Sequence, residues 1–254
     1  MKAVFDKETM MKAFNKPEEK FLFARVLDQA LFSLESGQTE YSDFLDEYHA
    51  SAFAHLLKTG ITVSSFGGYD EAERKILALG NFFDFPITAI AISFQAKFSN
   101  LTHRDFLGSI IGLGINRALI GDILIKDDRA LIFAKKEIAD YITANLTKVK
   151  NASVRASDAH LSAADEFIKL PVSRNITSAS LRLDAVASAA FNLSRGNVAE
   201  LIGKGRGFIN WTPVSSASKN VQTGDTVTLR GVGRFRIVEI TGQTKKGNFK
   251  LLII

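Results

Sequence analysis

The chain reads as an α+β protein in three parts: a helical N-terminal domain (residues 1–85), a middle β-α-β-β-α-β domain (86–173) and a small two-helix-plus-sheet domain (174–254). Three observations lead there. Apolar residues recur at helical spacing in the first and last parts. In the middle, short apolar runs bounded by turn signals alternate with helical stretches. The charge is also divided unevenly: residues 174–254 hold twelve Lys+Arg against four Asp+Glu, whereas residues 1–173 hold twenty against twenty-three. At 254 residues the chain is long enough to build two or three apolar cores.

Pro17 opens the first long helix, with Glu18 and Glu19 in the turn where the helix dipole favours acids. Phe21, Ala24, Leu27 and Leu31 form its apolar stripe, Arg25 and Asp28 its charged face, and Gly37 its end. A second helix is expected over 41–58, stopped by Gly60. A strand follows over 61–66, then a turn at Gly67-Gly68 and a third helix over 69–79.

The middle segment predicts strands at 87–94, 120–126, 130–135 and 149–155, with helices at 103–111 and 137–146 and a turn at Asp127-Asp128. This order is the split βαβ, ferredoxin-like arrangement, an antiparallel sheet with helices on one face. Many RNA-binding modules use it and so do unrelated proteins, so the layout alone does not assign a function. Residues 156–168 are small and polar and read as helix or linker, and a domain boundary falls between 173 and 179.

In the last segment Leu183, Val186, Ala187, Ala190 and Phe191 mark one helix face, with Ser180 as the expected N-cap. Ser194 is the expected N-cap of a second helix, which buries Val198, Leu201 and Ile202 and ends at Gly203 and Gly205. Strands are expected at 208–211, 226–229, 235–240 and 249–253, with turns at Gly224-Asp225 and 231–233.

The chain has no cysteine, which removes disulfides, thiolate metal sites and Cys nucleophiles. Residues 1–16 interleave charges and lack the apolar core of a signal peptide. The best apolar run, 87–94, is far too short to span a bilayer. These features predict a cytoplasmic protein without membrane, metal or cofactor. His49 and His55, six apart, face poorly for a metal. His103-Arg104-Asp105 lacks the other parts of a kinase site, and Gly112-x-Gly114 carries Arg117 where a dinucleotide fingerprint needs glycine.

A compact segment with net charge +8 is the electrostatic footprint of a polyanion partner, because each cation that neutralises a phosphate releases a counterion. Arg182 and Arg195 sit at helix starts, where the dipole disfavours cations, so their placement suggests an external partner. Lys204 and Arg206 follow in the helix-to-strand turn. In the middle segment Arg104, Arg117, Lys126, Lys135 and Lys136 offer a second basic patch.

Ser180-Leu181-Arg182-Leu183-Asp184, Leu193-Ser194-Arg195, Leu201-Ile202 with Gly205, Ile209-Asn210-Trp211 and Gly224-Asp225 together resemble the small RNA-binding domain named after ribosomal protein S-four. The resemblance implies that the two helices and their turn lie against structured RNA, with Arg182, Arg195 and Lys204 at the matching motif positions; Arg206 and Asn210 are candidate RNA contacts beside them. The sequence departs from that family at Gly207, where a β-branched residue is usual. Gly67-Gly68-Tyr69, Ala72-Glu73-Arg74-Lys75, the 103–108 and 112–115 stretches, Arg117 and Ile120-Gly121-Asp122-Ile123 are similar to the signature of the YlmH family. Glu47-Tyr48 stands where members of that family commonly have Pro-Arg. This wider resemblance implies a bacterial cytoplasmic protein that binds the large ribosomal subunit and peptidyl-tRNA and acts in quality control of stalled translation. From the second basic patch, Arg104 and Arg117 are taken as further candidate RNA contacts.

Arg182-Leu183-Asp184 is also similar to the catalytic motif of pseudouridine synthases. No His precedes it, Ala185 to Ala189 lack the expected Thr-Ser-Gly, and the chain ends before a synthase domain could follow. The expectation is therefore a non-enzymatic protein. An RNA-modifying enzyme and a protein-interaction factor of cell division stand as the alternatives.

Overall fold

The computed structural model describes residues 5–81, 84–95, 100–168 and 172–254; the first four residues of the segment read for a signal sequence, and residues 169–171 just before the expected boundary, lie outside it. The fold is mixed helix and sheet, in two units, Met1–Lys169 and Leu170–Ile254.

The first unit begins with α1 (Lys7–Met11) and α2 (Pro17–Ser36), the latter ended by Gly37 in the left-handed conformation. Two short strands, β1 (Glu40–Tyr41) and β2 (Leu45–Asp46), precede α3 (Glu47–Leu57). Strands β3 (Val63–Phe66) and β4 (Arg74–Leu79) follow. β1, β2 and β3 all pair antiparallel with β4, so the part expected to be helical carries a four-stranded sheet.

In place of the third helix expected over 69–79, residues 69–73 form a loop and 74–79 form β4. Ile76, Leu77, Ala78 and Leu79 are all fully buried, so this strand is covered on both faces. Such a strand shows no alternation, and its residues are good helix formers, which is why the pattern misleads. The second helix starts at Glu47 and not near 41, because Asp46 caps it by accepting from the His49 N–H at 2.9 Å while 40–46 runs along β4. Phe14, Phe23 and Phe53 lock these helices together, with ring centroids 5.1–5.3 Å apart.

Next come β5 (Ile87–Phe94), α4 (His103–Gly112), β6 (Ile120–Lys126), β7 (Arg129–Lys135), α5 (Lys136–Asn145), β8 (Lys148–Val149) and β9 (Ala152–Ala159). Their sheet runs in the order β6-β7-β5-β9-β8, with every pairing antiparallel. Residues 156–168, expected as helix or linker, complete β9 and add a 3-10 turn at Leu161–Glu166.

Both faces of this sheet are covered. Ile90, Ile92, Ile132 and Ala134 pack with Phe106, Ile110 and Ile142 of α4 and α5. Ala89, Leu131 and Phe133 pack on the other side with Phe44 and Ile76 of the N-terminal sheet region. This second contact explains why 87–94 is a near-continuous apolar run. It is also tight: a side chain at Gly68 would come within 2.3 Å of the Phe133 ring, and one at Gly121 within 2.8 Å of Phe44.

The second unit holds β10 (Arg174–Ser178), α6 (Leu183–Phe191), α7 (Arg195–Gly203), β11 (Gly207–Ile209), β12 (Thr212–Pro213), β13 (Thr226–Leu229), β14 (Gly233–Gln243) and β15 (Phe249–Ile253). The sheet order is β10-β15-β14-β13-β11-β12. Leu183, Val186, Ala187, Ala190, Val198 and Ile202 form a common core with Val227, Phe235, Ile237, Leu251 and Ile253 of the sheet. β10 went unforeseen because Ile176 is its single buried apolar residue.

Ser180 does not cap α6; Arg182 occupies the N-cap position, without a side-chain cap bond. The free N–H groups of the first turn are satisfied from outside the helix. Leu183 N–H donates to the Lys219 carbonyl (2.8 Å) and Asp184 N–H to the Ala217 carbonyl (3.0 Å), so the 217–221 loop does the capping.

Candidate nucleic-acid interface

The centre of the C-terminal module is a charge triad. Asp184, in the first turn of α6, is 6% exposed. Its Oδ1 accepts from Arg182 Nε at 3.2 Å, and its Oδ2 accepts from Arg182 Nη2 at 3.1 Å and Arg195 Nη2 at 2.8 Å. Hydrogen bonds from Arg182, then those from Arg195, hold the Asp184 carboxyl below the usual carboxylate range against the opposing effect of burial. A carboxylate held by two guanidinium groups acts as a template. It aligns two arginines whose side chains remain 44% and 53% exposed. The sequence places Arg182 and Arg195 thirteen residues apart; the α6–α7 hairpin brings them to one oxygen atom.

Ser194 fixes the start of α7 by accepting from the Asn197 N–H at 3.1 Å. Val198 and Ile202 turn inward, while Arg195, Asn197, Glu200 and Lys204 remain exposed. Lys204 pairs with Glu200 at 2.5 Å, with both side chains 62% exposed, a contact that water and salt weaken readily. Arg206 lies in the turn after α7, and its guanidinium occupies the space beside Gly231. Arg230 stacks over the Phe208 ring at 4.3 Å, a cation the motif reading did not single out.

Two residues read from the sequence as RNA contacts have other work in the fold. The Asn210 amide donates to Asp225 Oδ1 (2.7 Å) and its carbonyl oxygen accepts from the Thr226 N–H (2.8 Å). Asn210 and Trp211 both have positive φ, 48° and 62°, and the amide bonds pin this tight turn against β13. The Arg117 guanidinium donates to the carbonyls of Ile120 (2.5 Å) and Gly121 (3.2 Å). Arg104, in the first turn of α4, is exposed. Of the other middle-segment cations, Lys126 donates to the Glu166 carbonyl, Lys135 pairs with Asp43 and Lys136 with Asp84.

The first unit also contains a cleft of about 290 Å³, with mixed polar and apolar walls, that sequence reasoning missed. Tyr69, Glu71 and Glu73 come from the loop before β4, His103 from the start of α4 and Asp122 from β6. The register of β6 against β7 shifts between Ile120 and Ile123, a bulge that re-aims the chain at Asp122. Asp122 Oδ2 accepts from the Tyr69 hydroxyl (2.9 Å) and the Glu73 N–H (2.6 Å). Burial pushes the Asp122 carboxyl above its usual range. Burial, then the Asp122 charge, pushes the Tyr69 hydroxyl up. Behind them Arg74 donates to the Phe44 carbonyl (2.7 Å) and the Ile120 carbonyl (3.0 Å). Burial, and then the neighbouring Arg117, bring Arg74 down to about 10. The one available signal for this site was that Gly67-Gly68-Tyr69, Glu73-Arg74, His103 and Gly121-Asp122 all belong to the family-like stretches. Among the described residues no group of three or more His, Asp or Glu could hold a metal ion. No described helix is long and apolar enough to cross a membrane.

Residues 81–163 match the family model described as "Putative RNA-binding domain in YlmH", a span that contains the whole middle sheet. The chain is 32% identical over 256 residues, covering 94% of its own length and 95% of the relative's, to "Ribosome-associated protein quality control protein P2" of Bacillus subtilis (strain 168). A solved structure, "Cell division protein ylmH from Streptococcus pneumoniae", superposes with a TM-score of 0.51 at 25% identity; the match covers 59% of this chain and 96% of that one.

Proposed function

Since the chain belongs to the YlmH family, we propose that it is a cytoplasmic, non-enzymatic RNA-binding factor that associates with the large ribosomal subunit and peptidyl-tRNA and serves the quality control of stalled translation. The C-terminal domain, residues 174–254, is the S-four-type module and the principal contact. The observation that carries this reading is the triad. Asp184 spends its buried carboxylate on orienting two half-exposed guanidinium groups, and paired, pre-aligned arginines suit the phosphates of a folded RNA. Lys204 and Arg206 extend the contact along α7, and Arg104 lends a second attachment from the middle domain, avidity coming from the linked sites. The relative's description as a ribosome-associated quality-control protein supports the same assignment.

Ultraviolet crosslinking in growing cells, followed by sequencing of the attached RNA, tests it. Crosslinks concentrated in large-subunit rRNA and tRNA are expected, and their loss in an Arg182→Ala/Arg195→Ala variant. Crosslinks scattered over messenger RNA, or unchanged in that variant, would overturn it. The "cell division" description of the structural neighbour corresponds to no residue arrangement described above and carries no mechanism here.

A further inference from the structure

We propose that the cleft formed by the 67–73 loop, the β6 bulge and the start of α4 receives a single unpaired guanine base of the bound RNA. This deepens the RNA-binding reading and rests on it.

The sheet face on which a plait-type module stacks bases is unavailable in this chain, since Leu131 and Phe133 lie under Phe44 and Ile76. The cleft remains. At about 290 Å³ it sits at the small end of ligand sites, with room for one base but not for a helix. Leu124 and Ile168 give it apolar walls, and the Tyr69 ring is fixed by packing on Phe133 at 5.1 Å.

Its polar groups are rich in acceptors. Asp122 is 9% exposed, and its bonds from the Tyr69 hydroxyl and the Glu73 N–H both reach Oδ2 and leave Oδ1 to face the cleft in this proposal. The Glu71 carboxylate stands at the exposed rim. His103 is held below its usual pKa by burial and then by Arg117, so at neutral pH it is an uncharged imidazole with one donor and one acceptor.

Guanine is the base whose pairing edge shows two adjacent donors, N1–H and the N2 amino group, beside an acceptor, O6. Asp122 Oδ1 and Glu71 match the donors, and the His103 N–H matches O6. Adenine would set its N1 lone pair against a carboxylate, an unpaired acceptor in a partly buried site. Uracil and cytosine each offer a single donor group on that edge. Arg104, exposed beside His103, supplies the cation for the adjoining phosphate.

The test uses the full chain and two probes. One is guanosine monophosphate, with adenosine monophosphate as its control, monitored by the NMR signals of His103 and Tyr69. The other is a pair of fluorescent RNA hairpins that differ only in one unpaired loop residue, G or A. Guanosine monophosphate should shift both signals where the adenosine control does not. The G hairpin should bind roughly tenfold tighter than the A hairpin, the discrimination of a well-placed bidentate contact. Glu71→Gln and His103→Ala, both at exposed positions, should bring the two hairpins to within about twofold of each other. Equal affinities for the two hairpins with RNA binding intact would overturn the guanine site alone. A guanosine monophosphate shift of the Tyr69 signal that persists unchanged in both variants would also overturn it. Failure to bind either hairpin would count against the RNA-binding reading, and the mononucleotide arm would still decide the cleft.

Discussion

Replacing Arg195 with alanine should change how RNA binding responds to salt, by an amount the triad sets. Two guanidinium groups and one carboxylate carry a local charge of +1. In Arg195→Ala, Arg182 is left alone with Asp184 and the local charge falls to zero. One lost phosphate contact lowers the slope of log affinity against log salt by roughly 0.7–0.9. Between 50 and 200 mM salt, a fourfold change, the ratio of wild-type to variant affinity should therefore shrink by about threefold. Neutralisation of Arg182 by Asp184 should push the effect beyond this single-contact figure. Asp184→Asn moves the local charge the other way, to +2. It should steepen the salt slope and raise low-salt binding to any duplex, while reducing the preference for structured RNA because the two arginines are no longer aligned. The fold should survive Arg195→Ala, since an ion pair to an arginine side chain 53% exposed contributes about 0–1 kcal/mol. Fluorescence anisotropy with a structured RNA at five salt concentrations, with circular dichroism as the folding control, reads all three slopes. An unchanged slope in a folded Arg195→Ala protein would refute the reasoning, because it would remove the guanidinium from the interface.

Other perturbations separate positioning from contact. Asn210→Ala should cost about 1–3 kcal/mol in urea unfolding, since the Asp225 carboxylate and the Thr226 N–H lose their partner, yet leave the salt slope unchanged. Gly68→Ala should destabilise the first unit by about 1–3 kcal/mol or more in thermal unfolding, because its side chain would meet the Phe133 ring at 2.3 Å and its φ is +105°. Phe133→Ala should cost about 3–5 kcal/mol by emptying the contact between the two sheets. The Asp184 carboxyl is held below its ordinary 3.8 in the folded state, so its contribution is present above that value and is lost as pH falls through the lowered folded value. The stability difference between wild type and Asp184→Asn should accordingly close in strong acid; a difference that persists there would contradict the assignment.

The parts of the fold legible in the sequence are those whose environment is one-sided. Pro17 to Gly37 delimit a helix with a punctuated start and stop, and the structure begins and ends it there. The strand expected at 249–253 and the helix ending at Gly203 also have a core side and a water side, and both lie where the pattern puts them. What escaped the sequence depends on contacts distant along the chain. β4 looks like a helix because burial on both faces erases alternation. Ser180 looks like a cap because the carbonyls of 217 and 219, which satisfy α6, are invisible locally. The candidate site divides in the same way. Arg182 and Arg195 were visible as cations at helix starts, but not their convergence on Asp184. Asn210 and Arg117 were visible as polar residues in a motif, but not the carbonyl, amide and carboxylate groups that occupy them. The Asp122 cleft ties Tyr69 to Asp122, 53 residues apart, through a bulge that no pattern announces.

The most direct test is sedimentation of cell lysate through sucrose gradients at low and high salt, with the wild-type chain beside its Arg182→Ala/Arg195→Ala variant. The wild type should travel with the large ribosomal subunit, its share falling as salt rises, and the variant should remain at the top. A wild-type chain that stays at the top even at low salt would contradict the ribosomal assignment, and a variant that still travels with the subunit would contradict the role of the Asp184 triad.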